Sequence, residues 1–233
     1  MTKIKLDNRL KMVAELVRQG KIVADIGTDH AYLLSFLVQN EMCPSGIAGD
    51  VRQGPLDNAI STVEQCGLSE KIECKLSNGL QNIVPNSAED IVIAGMGGIL
   101  ITEILLGHEW LKNSDINIVV QPMTHAEDVR NYFTQNGFEI TKESACADGR
   151  RLYCAISASY KGEVEVQTPS FAYVGKLNQN TDEQSKNYLK HQYQRLKKKQ
   201  AAFEIAKDKQ DELAQLNLIL EDFEKQVEGI END

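Results

Sequence analysis

Residues 22–32, Ile-Val-Ala-Asp-Ile-Gly-Thr-Asp-His-Ala-Tyr, decide the fold of this 233-residue chain. Apolar residues run up to Asp25, a glycine turn follows at Gly27, and a helix-like apolar run extends over 31–38. A buried strand, a tight turn and a helix in this order form the opening unit of a doubly wound α/β fold. The sequence therefore predicts a parallel sheet with a ligand site at this turn.

The turn departs from the dinucleotide-binding pattern Gly-x-Gly-x-x-Gly, because Asp29 stands where the second glycine is needed. A carboxylate there would repel the pyrophosphate that such turns bind, but it would attract a cation. S-adenosylmethionine carries a sulfonium and an ammonium and no phosphate, so Asp25, Asp29 and the later Asp50 favour it over NAD. The alternative interpretation is that Asp29 only caps the following helix.

Composition and charge are typical of a globular protein without a membrane span. Hydrophobic residues make up 42% of the chain and charged residues 25%, and no apolar run approaches the roughly 20 residues that cross a bilayer. The five cysteines and four histidines show no metal-ligand spacing, and an odd cysteine count indicates reduced thiols. We therefore expect a cytoplasmic protein with no metal and no obligate protein partner. The net charge of −9 argues against nucleic-acid binding by the chain as a whole.

Strand-like and helical patterns alternate along the first two thirds of the chain. Helical spacing predicts a first helix over 7–17 with Asp7 as N-cap, followed by helices at 31–38, 56–66, 99–106 and 126–135. Strands are predicted at 45–50, 72–76, 90–94 and 116–120. An Asp-Gly turn between 138–145 and 150–157 indicates a β-hairpin. This alternation predicts a mostly parallel sheet that ends in an antiparallel pair.

Three later strand ends carry residues that suit ligand binding. Asp50 follows the second strand about 20 residues after the glycine turn, where doubly wound folds bind ribose hydroxyls with an acid. Asn78 and Gly79 follow the third strand, where they form a turn first and an adenine contact second. Three glycines within 95–98 follow the fourth strand, and they allow a ligand to approach the backbone closely.

The last third of the chain changes character, because apolar residues recur there at heptad spacing. The two apolar seams consist of Leu189, Tyr193, Leu196, Gln200 and Phe203, and of Leu213, Leu216, Leu220, Phe223 and Val227. A break over 206–211 predicts two antiparallel helices. We therefore predict an α/β domain over 1–162 and a helical coiled-coil domain over 163–233.

The first helix of this tail is basic and the second is acidic. Residues 176–199 contain seven Lys and Arg against two acids, whereas 200–233 contain three Lys against ten acids. The basic helix is a candidate for contacts to RNA phosphates. Its candidate residues are Lys190, Arg195, Lys197, Lys198 and Lys199. The alternative is that these charges form an ordinary solvated helix face.

Five motifs together resemble the bacterial tRNA (adenine-N1)-methyltransferase family that modifies adenosine 22. They are Asp25-Ile-Gly-Thr-Asp-His-Ala-Tyr-Leu, Gly49-Asp-Val, Asn78-Gly-Leu, Ile93-Ala-Gly-Met-Gly-Gly-Ile-Leu-Ile and Gln121-Pro. The resemblance covers nearly the whole chain, including the helical hairpin. It implies a Rossmann-like class I methyltransferase with a seven-stranded, mostly parallel sheet, S-adenosylmethionine as cofactor and tRNA as substrate.

The resemblance also implies a role for the residues at four strand ends. In chain order, these are Asp25, Gly27, Thr28 and His30 at the cofactor turn, Asp50 and Val51 at the ribose, Asn78 and Gly79 at the adenine, and Gly95 and Met96 on the methyl-transfer side.

The chemistry of N1 methylation indicates what a catalytic residue would do. The N1 atom of neutral adenine has an in-plane lone pair, so no proton must leave before it attacks a methyl group, and the product base is cationic. Asp29 is the candidate catalytic residue, because a carboxylate stabilises that charge. The base must also be exposed from the folded RNA. Two alternatives stay open: a small-molecule methyltransferase with the tail as lid or oligomerisation element, and a non-catalytic cofactor-binding or assembly protein.

Overall fold

The computed structural model describes residues 2–164, 166–206 and 208–227. The strands are β1 (Val23–Ile26), β2 (Gly46–Asp50), β3 (Ile72–Leu76), β4 (Asp90–Gly97), β5 (Asn117–Thr124), β6 (Phe138–Asp148) and β7 (Arg151–Tyr160). The α-helices are α1 (Asn8–Ala14), α2 (Tyr32–Gln39), α3 (Gln53–Gln65), α4 (Gly98–Leu105), α5 (Ala126–Gln135), α6 (Phe171–Val174), α7 (Glu183–Ile205) and α8 (Gln210–Gln226).

The strands form one seven-stranded sheet in the order β3-β2-β1-β4-β5-β7-β6. The first five strands in this order pair in parallel, and β7 inserts antiparallel between β5 and β6. The strand order reverses between β1 and β4, the position where open α/β sheets bind ligands beyond the carboxyl ends of their strands. The predicted seven-stranded, mostly parallel sheet and its closing hairpin are confirmed.

Helices cover both faces of the sheet and bury it in two apolar cores. Helices α1, α2 and α3 contribute to one core and α4 and α5 to the other. Burial on both faces explains why β1, β4 and β5 are continuous apolar runs without alternation. The polar residues of these strands are therefore concentrated near the strand ends.

Several predicted element ends differ from the structure by three or four residues, namely those of α1, α3, β4, β5, β6 and β7. Asp7 caps α1 as predicted, since its carboxylate accepts a hydrogen bond from the Leu10 amide at 2.7 Å, but the helix ends at Ala14 instead of continuing to 17. Strands β4 and β5 continue beyond the predicted ends at 94 and 120. Their extensions stay paired through irregular register, with Met96 opposite Pro122 and Gly97 opposite Thr124, so the glycine turn is an extension of the sheet.

The two tail helices pair along the predicted seams, and the tail also packs against the sheet domain. Leu189, Leu196, Leu216, Leu220 and Phe223 are buried in a third apolar core. This core includes Ala126 of α5 and Cys154 of β7. The parts of the predicted tail domain at 165, 207 and 228–233 lie outside the described residues.

A buried ion pair within the sheet domain also contacts the tail. The Arg130 guanidinium on α5 donates to both carboxylate oxygens of Glu143 on β6, at 2.9 and 3.1 Å, and to the carbonyl of Ala172 in α6 at 2.9 Å. Both charged side chains are almost completely buried. Burial alone would lower the pKa of Arg130, and the facing Glu143 carboxylate reverses this effect and raises that pKa above its ordinary value. The position of α6 therefore depends on the geometry of this pair.

None of the described helices combines the length and apolarity needed to cross a membrane. Within the same residues, no group of His, Cys, Asp and Glu side chains is arranged to hold a metal ion.

Candidate active site

A cleft of about 240 Å³ lies at the carboxyl ends of β1 and β4, beside α1. It brings together six of the residues that the sequence singled out: Asp25, Gly27, Thr28, Asp29, His30 and Gly95. A larger cavity of about 400 Å³ lies between β6 and the segment leading to the tail. None of the predicted site residues lines that cavity, so the position at the strand ends identifies the candidate site better than volume does.

The turn after β1 favours glycine at position 27. Gly27 has a φ of +76°, and a Cβ built on it would lie 1.9 Å from the Met96 methyl carbon. The amides of Gly27 and Thr28 both donate to the Gly49 carbonyl, at 2.7 and 3.1 Å. The turn is thereby fixed to the end of β2, and Met96 packs directly over it.

Asp25 is the buried acid of the site. Its carboxylate accepts a hydrogen bond from the Thr28 hydroxyl at 2.7 Å. Burial raises the pKa of Asp25 to about 6, while Thr28 and the Arg9 guanidinium oppose the shift and the nearby Asp50 carboxylate adds to it. An acid with a pKa raised by burial gains most from a cationic ligand, because that ligand favours the ionised form.

Asp29 does not cap helix α2, so the capping interpretation is wrong. The N-cap is Ala31, which has a left-handed backbone and makes no side-chain capping hydrogen bond. Asp29 itself has a φ of +50°, and its side chain is 62% exposed, with a carboxylate oxygen 3.7 Å from His30 Nε2. The chain thus holds a carboxylate at the mouth of the cleft in a backbone conformation that is uncommon for residues other than glycine.

An aromatic pair stands next to Asp29. The His30 ring stacks on the Tyr32 ring with centroids 4.9 Å apart and planes 7° from parallel. Both residues line the cleft, and Tyr32 is 43% exposed. Flat, partly exposed rings beside a carboxylate suit a planar base.

Asp50, Asn78 and Gly79 continue the site along the edge of the sheet toward β3. Asp50 is buried, accepts a hydrogen bond from the Arg52 amide at 2.9 Å, and receives the Ser77 amide on its backbone carbonyl at 2.8 Å. Gly79 has a φ of +56°, and a Cβ there would come within 3.1 Å of Ile104. Asn78 and Val51 are exposed. These residues do not line the cleft itself but lie on its β2–β3 side.

The glycine-rich carboxyl end of β4 forms the opposite wall. Gly95 has a φ of +83°, and a Cβ on it would lie 3.4 Å from Arg9 Nη1. A Cβ on Gly98 would lie 2.1 Å from the His125 carbonyl oxygen. The run of glycines therefore serves two purposes: Gly95 opens the cleft wall, and Gly98 lets α4 start against the β5–α5 junction.

Sequence reasoning missed Arg9, Tyr32 and Gln121. Arg9 lies on a helix that was identified by its apolar face, and Gln121 was noted only as part of a motif. Gln121 is completely buried and accepts a hydrogen bond from Arg9 Nη1 at 2.8 Å. A polar residue that interrupts the apolar run 116–120 at its carboxyl end was the available signal.

The predicted RNA-binding residues lie on α7 and not at the cleft. Arg195 donates to Glu127 at 3.1 Å and lies over the Tyr173 ring at 5.9 Å, while Lys199 lies over the Phe203 ring at 5.3 Å. Lys197 and Lys198 are exposed and Lys190 is half-buried. Arg195 thus has a role in docking the tail onto α5, and the three consecutive lysines face outward.

Comparisons with known proteins bear on this site. A family model described as a methyltransferase domain matches residues 6–156. A tRNA (adenine(22)-N(1))-methyltransferase of Bacillus subtilis is 36% identical over 154 residues, which are 66% of this chain and 64% of that relative, so the match spans just under two thirds of its length.

Two crystal structures match almost the entire chain. The B. subtilis m1A22 tRNA methyltransferase is 27% identical with a TM-score of 0.86, covering 97% of this chain and 100% of that one. A putative tRNA (m1A22) methyltransferase of Streptococcus pneumoniae, in complex with S-adenosyl-L-methionine, is 30% identical with a TM-score of 0.78, covering 96% of this chain and 100% of that one. The chain therefore belongs to the methyltransferase-domain family and, within it, to the bacterial tRNA (adenine(22)-N(1))-methyltransferase family that its motifs indicate.

Proposed function

We propose that this protein transfers the methyl group of S-adenosylmethionine to N1 of adenine 22 in tRNA. The observation that carries the proposal is the acid-lined cleft at the ends of β1 and β4, in a chain of this family. The S. pneumoniae relative was crystallised with S-adenosyl-L-methionine in an equivalent fold. A tRNA substrate implies action in the cytoplasm, in agreement with the expectation from composition.

The residues of the cleft fit this cofactor better than they fit a dinucleotide. Three carboxylates, Asp25, Asp29 and Asp50, lie at or beside the cleft, and the turn at Gly27 leaves room for close approach without offering a second glycine to a pyrophosphate. We assign Asp50 and Val51 to the ribose, Asn78 and Gly79 to the adenine, and Gly95 and Met96 to the methyl-transfer side. Asp25, Gly27, Thr28 and His30 form the turn under the cofactor.

The chain contributes orientation and electrostatics to the reaction. When bound, the cofactor supplies an electrophilic methyl group: the N1–carbon bond forms as the sulfur–carbon bond breaks, which leaves a thioether and a cationic base. The Gly95–Gly97 turn and the Gly27 turn fix the direction of approach. We propose that Asp29 stabilises the positive charge that develops on the base and that the His30–Tyr32 stack supports the base plane.

The tail completes the proposal by providing a surface for the RNA. We assign catalysis to residues 1–162 and RNA contacts to 163–233, with Lys190, Arg195, Lys197, Lys198 and Lys199 as phosphate contacts. The exposed run 197–199 supports this assignment, because phosphate contacts need basic side chains that reach outward. Deletion of the tail is not a clean test, since it would uncover the third apolar core and the buried Arg130–Glu143 pair.

One experiment tests the function directly. The protein is incubated with methyl-labelled S-adenosylmethionine and unmodified tRNA, and the RNA is digested to nucleosides. We expect label in 1-methyladenosine at a single position, and its loss from a tRNA in which A22 is replaced by another base. Label in a different nucleoside, or methyl transfer only to small molecules in a cell extract, would contradict the proposal.

Asp50→Ala is expected to weaken S-adenosylhomocysteine binding by about 1–3 kcal/mol, because it leaves the ribose hydroxyls without a buried partner. Isothermal titration calorimetry measures this loss. Asp57→Ala is the matched control, because Asp57 is an exposed acid on α3 that bonds only to Gln53 among the described residues. Equal affinities for wild type and Asp50→Ala would remove Asp50 from the site.

Charge reversal at Lys197 and Lys198 is expected to weaken tRNA binding and to reduce the slope of log K against log salt by about 2, one for each lost phosphate contact. Filter binding over a series of KCl concentrations measures the slope. The control reverses Lys209 and Lys225, which pair with Glu212 and Glu221 on the acidic helix and change the net charge equally. If both double variants behave alike, the basic run is only a solvated helix face.

A further inference from the structure

Two adjacent arginines lie at the hairpin tip, the turn 148–151 between β6 and β7. Arg150 and Arg151 are both exposed. Asp148 lies opposite Arg151 in the strand register, but neither arginine has an ion-pair partner among the described residues. Gly149 has a φ of +59°, which suits the first central position of a type II′ turn. Because the turn requires only this glycine, its conformation does not explain the two arginines.

The hairpin tip projects from the same edge of the sheet as the candidate cleft. Strand β6 runs in the same direction as β5, since both pair antiparallel with β7, so its carboxyl end lies at the ligand edge. The pairing of β5 with β7 ends at Val120 opposite Ile156, and the register across β4 places Val120 level with Ile26 at the end of β1. The hairpin continues from 156 to Arg151, which at about 3.3 Å per residue carries the tip about 17 Å beyond that level.

Two hydrogen bonds hold the hairpin tip between the cleft and the tail. The Ala147 carbonyl accepts a hydrogen bond from Asn8 Nδ2 at 3.2 Å, and Asn8 directly precedes Arg9, which lines the cleft. The Ala147 amide donates to Gln184 Oε1 on α7 at 2.9 Å. The tip is therefore attached on one side to the helix that forms a cleft wall and on the other side to the first turn of the tail helix.

A base that enters the cleft from folded RNA leaves its phosphates outside the cleft. The target base must leave its stack to reach an enclosed site, so the sugar–phosphate backbone lies farther from the sheet edge than the base does. The hairpin tip extends outward on this side of the molecule. Guanidinium groups bind phosphate oxygens through two parallel hydrogen bonds, and the chain as a whole, with a net charge of −9, would repel RNA unless cations stand at the points of contact.

We propose that Arg150 and Arg151 bind the phosphates of the RNA nucleotides that adjoin the extruded adenosine, an inference that rests on the proposed function. The sheet domain then has an RNA contact of its own, in addition to the lysines of the tail. Gln184, which contacts the tip, and Lys197 are both on α7, and their separation from 184 to 197 corresponds to about 20 Å at 1.5 Å per residue. The tip and the tail lysines therefore contact different phosphates, and the tip positions the target nucleotide over the cleft.

The first test measures the binding of unmodified tRNA by filter binding over a series of KCl concentrations. The double variant Arg150→Gln, Arg151→Gln should bind about three- to thirtyfold more weakly, the range for two exposed ionic contacts, and its slope of log K against log salt should fall by about 2. Arg150→Lys, Arg151→Lys should keep the wild-type slope. The control Lys3→Gln, Lys71→Gln removes the same charge from two exposed lysines beside a cavity at the amino end of the sheet and should leave tRNA binding unchanged.

The second test locates the contact by hydroxyl-radical footprinting of the bound tRNA. We expect Arg150→Gln, Arg151→Gln to lose protection at the riboses that adjoin the methylated adenosine, and charge reversal at Lys197 and Lys198 to lose protection elsewhere. Calorimetry should show wild-type affinity of the glutamine variant for S-adenosylhomocysteine, because the tip does not line the cleft. Wild-type tRNA binding by the glutamine variant, or a loss of protection only where the tail variant loses it, would overturn this inference and leave the proposed function intact. A wild-type protein that neither binds nor methylates tRNA would overturn both.

Discussion

Asp29→Asn should yield a stable protein that binds cofactor and tRNA but methylates about a hundredfold more slowly, the usual loss when one preorganised electrostatic partner is removed. The substitution keeps the shape of the side chain and removes the charge that would face the cationic base. Asn also tolerates the left-handed backbone at φ +50° as well as Asp does, so the fold loses nothing. Single-turnover methylation at saturating cofactor and tRNA, alongside a melting curve, measures the effect.

A matched control distinguishes the loss of a negative charge in the cleft from the loss of a negative charge elsewhere on the surface. Glu41 also has a left-handed backbone, with a φ of +56°, and it is exposed outside the cleft. Glu41→Gln should therefore keep the wild-type rate. If Asp29→Asn also keeps that rate, Asp29 has no catalytic role, and positioning by the Gly95–Gly97 turn must supply the acceleration.

Arg130→Met should lower the free energy of unfolding by about 3–5 kcal/mol, because it leaves the Glu143 carboxylate buried without its partner. The loss is expected to be large since the guanidinium also holds the Ala172 carbonyl of α6. Urea denaturation followed by circular dichroism measures it. The variant should also unfold in one transition, because the sheet domain and the tail share the third apolar core.

The double variant Arg130→Met, Glu143→Leu distinguishes the cost of an unpaired charge from the cost of a lost contact. Apolar residues of similar volume often replace a buried ion pair with little loss, so the double variant should recover most of the stability lost by the single one. If the double variant is as unstable as Arg130→Met, the lost contact with α6, and not the uncompensated carboxylate, accounts for most of the lost free energy of unfolding.

The sheet and its ligand edge could be predicted because their signals are local. A buried parallel strand is a run of apolar residues, and a turn that needs positive φ shows a glycine, so 22–32 and 95–98 were identified without tertiary information. Heptad spacing likewise predicted both tail helices and the break near 206. These patterns depend on neighbours in sequence, which is why their positions were accurate to a few residues.

The residues that sequence reasoning missed act across long separations. The hydrogen bond between Arg9 and Gln121 joins residues 112 positions apart. No local sequence pattern around either residue indicates this contact. The cap assigned to Asp29 was wrong for a related reason: Ala31 takes the left-handed N-cap position, a choice set by how the turn docks on β2. The contact between the tail and the Arg130–Glu143 pair also could not be predicted. In its own segment, each of these two residues has the pattern of an exposed surface charge.

The candidate cleft draws its walls from the first helix and from the ends of β1 and β4, segments that lie far apart in the chain between Arg9 and Gly95. A ligand held there touches segments that only complete folding brings together, so it binds the native state and has no equivalent site in the unfolded chain. Occupancy is then thermodynamically linked to global stability, and a ligand at a hundred times its Kd adds about 2.7 kcal/mol. An increase in the melting temperature of this protein therefore reports which molecules bind in the cleft.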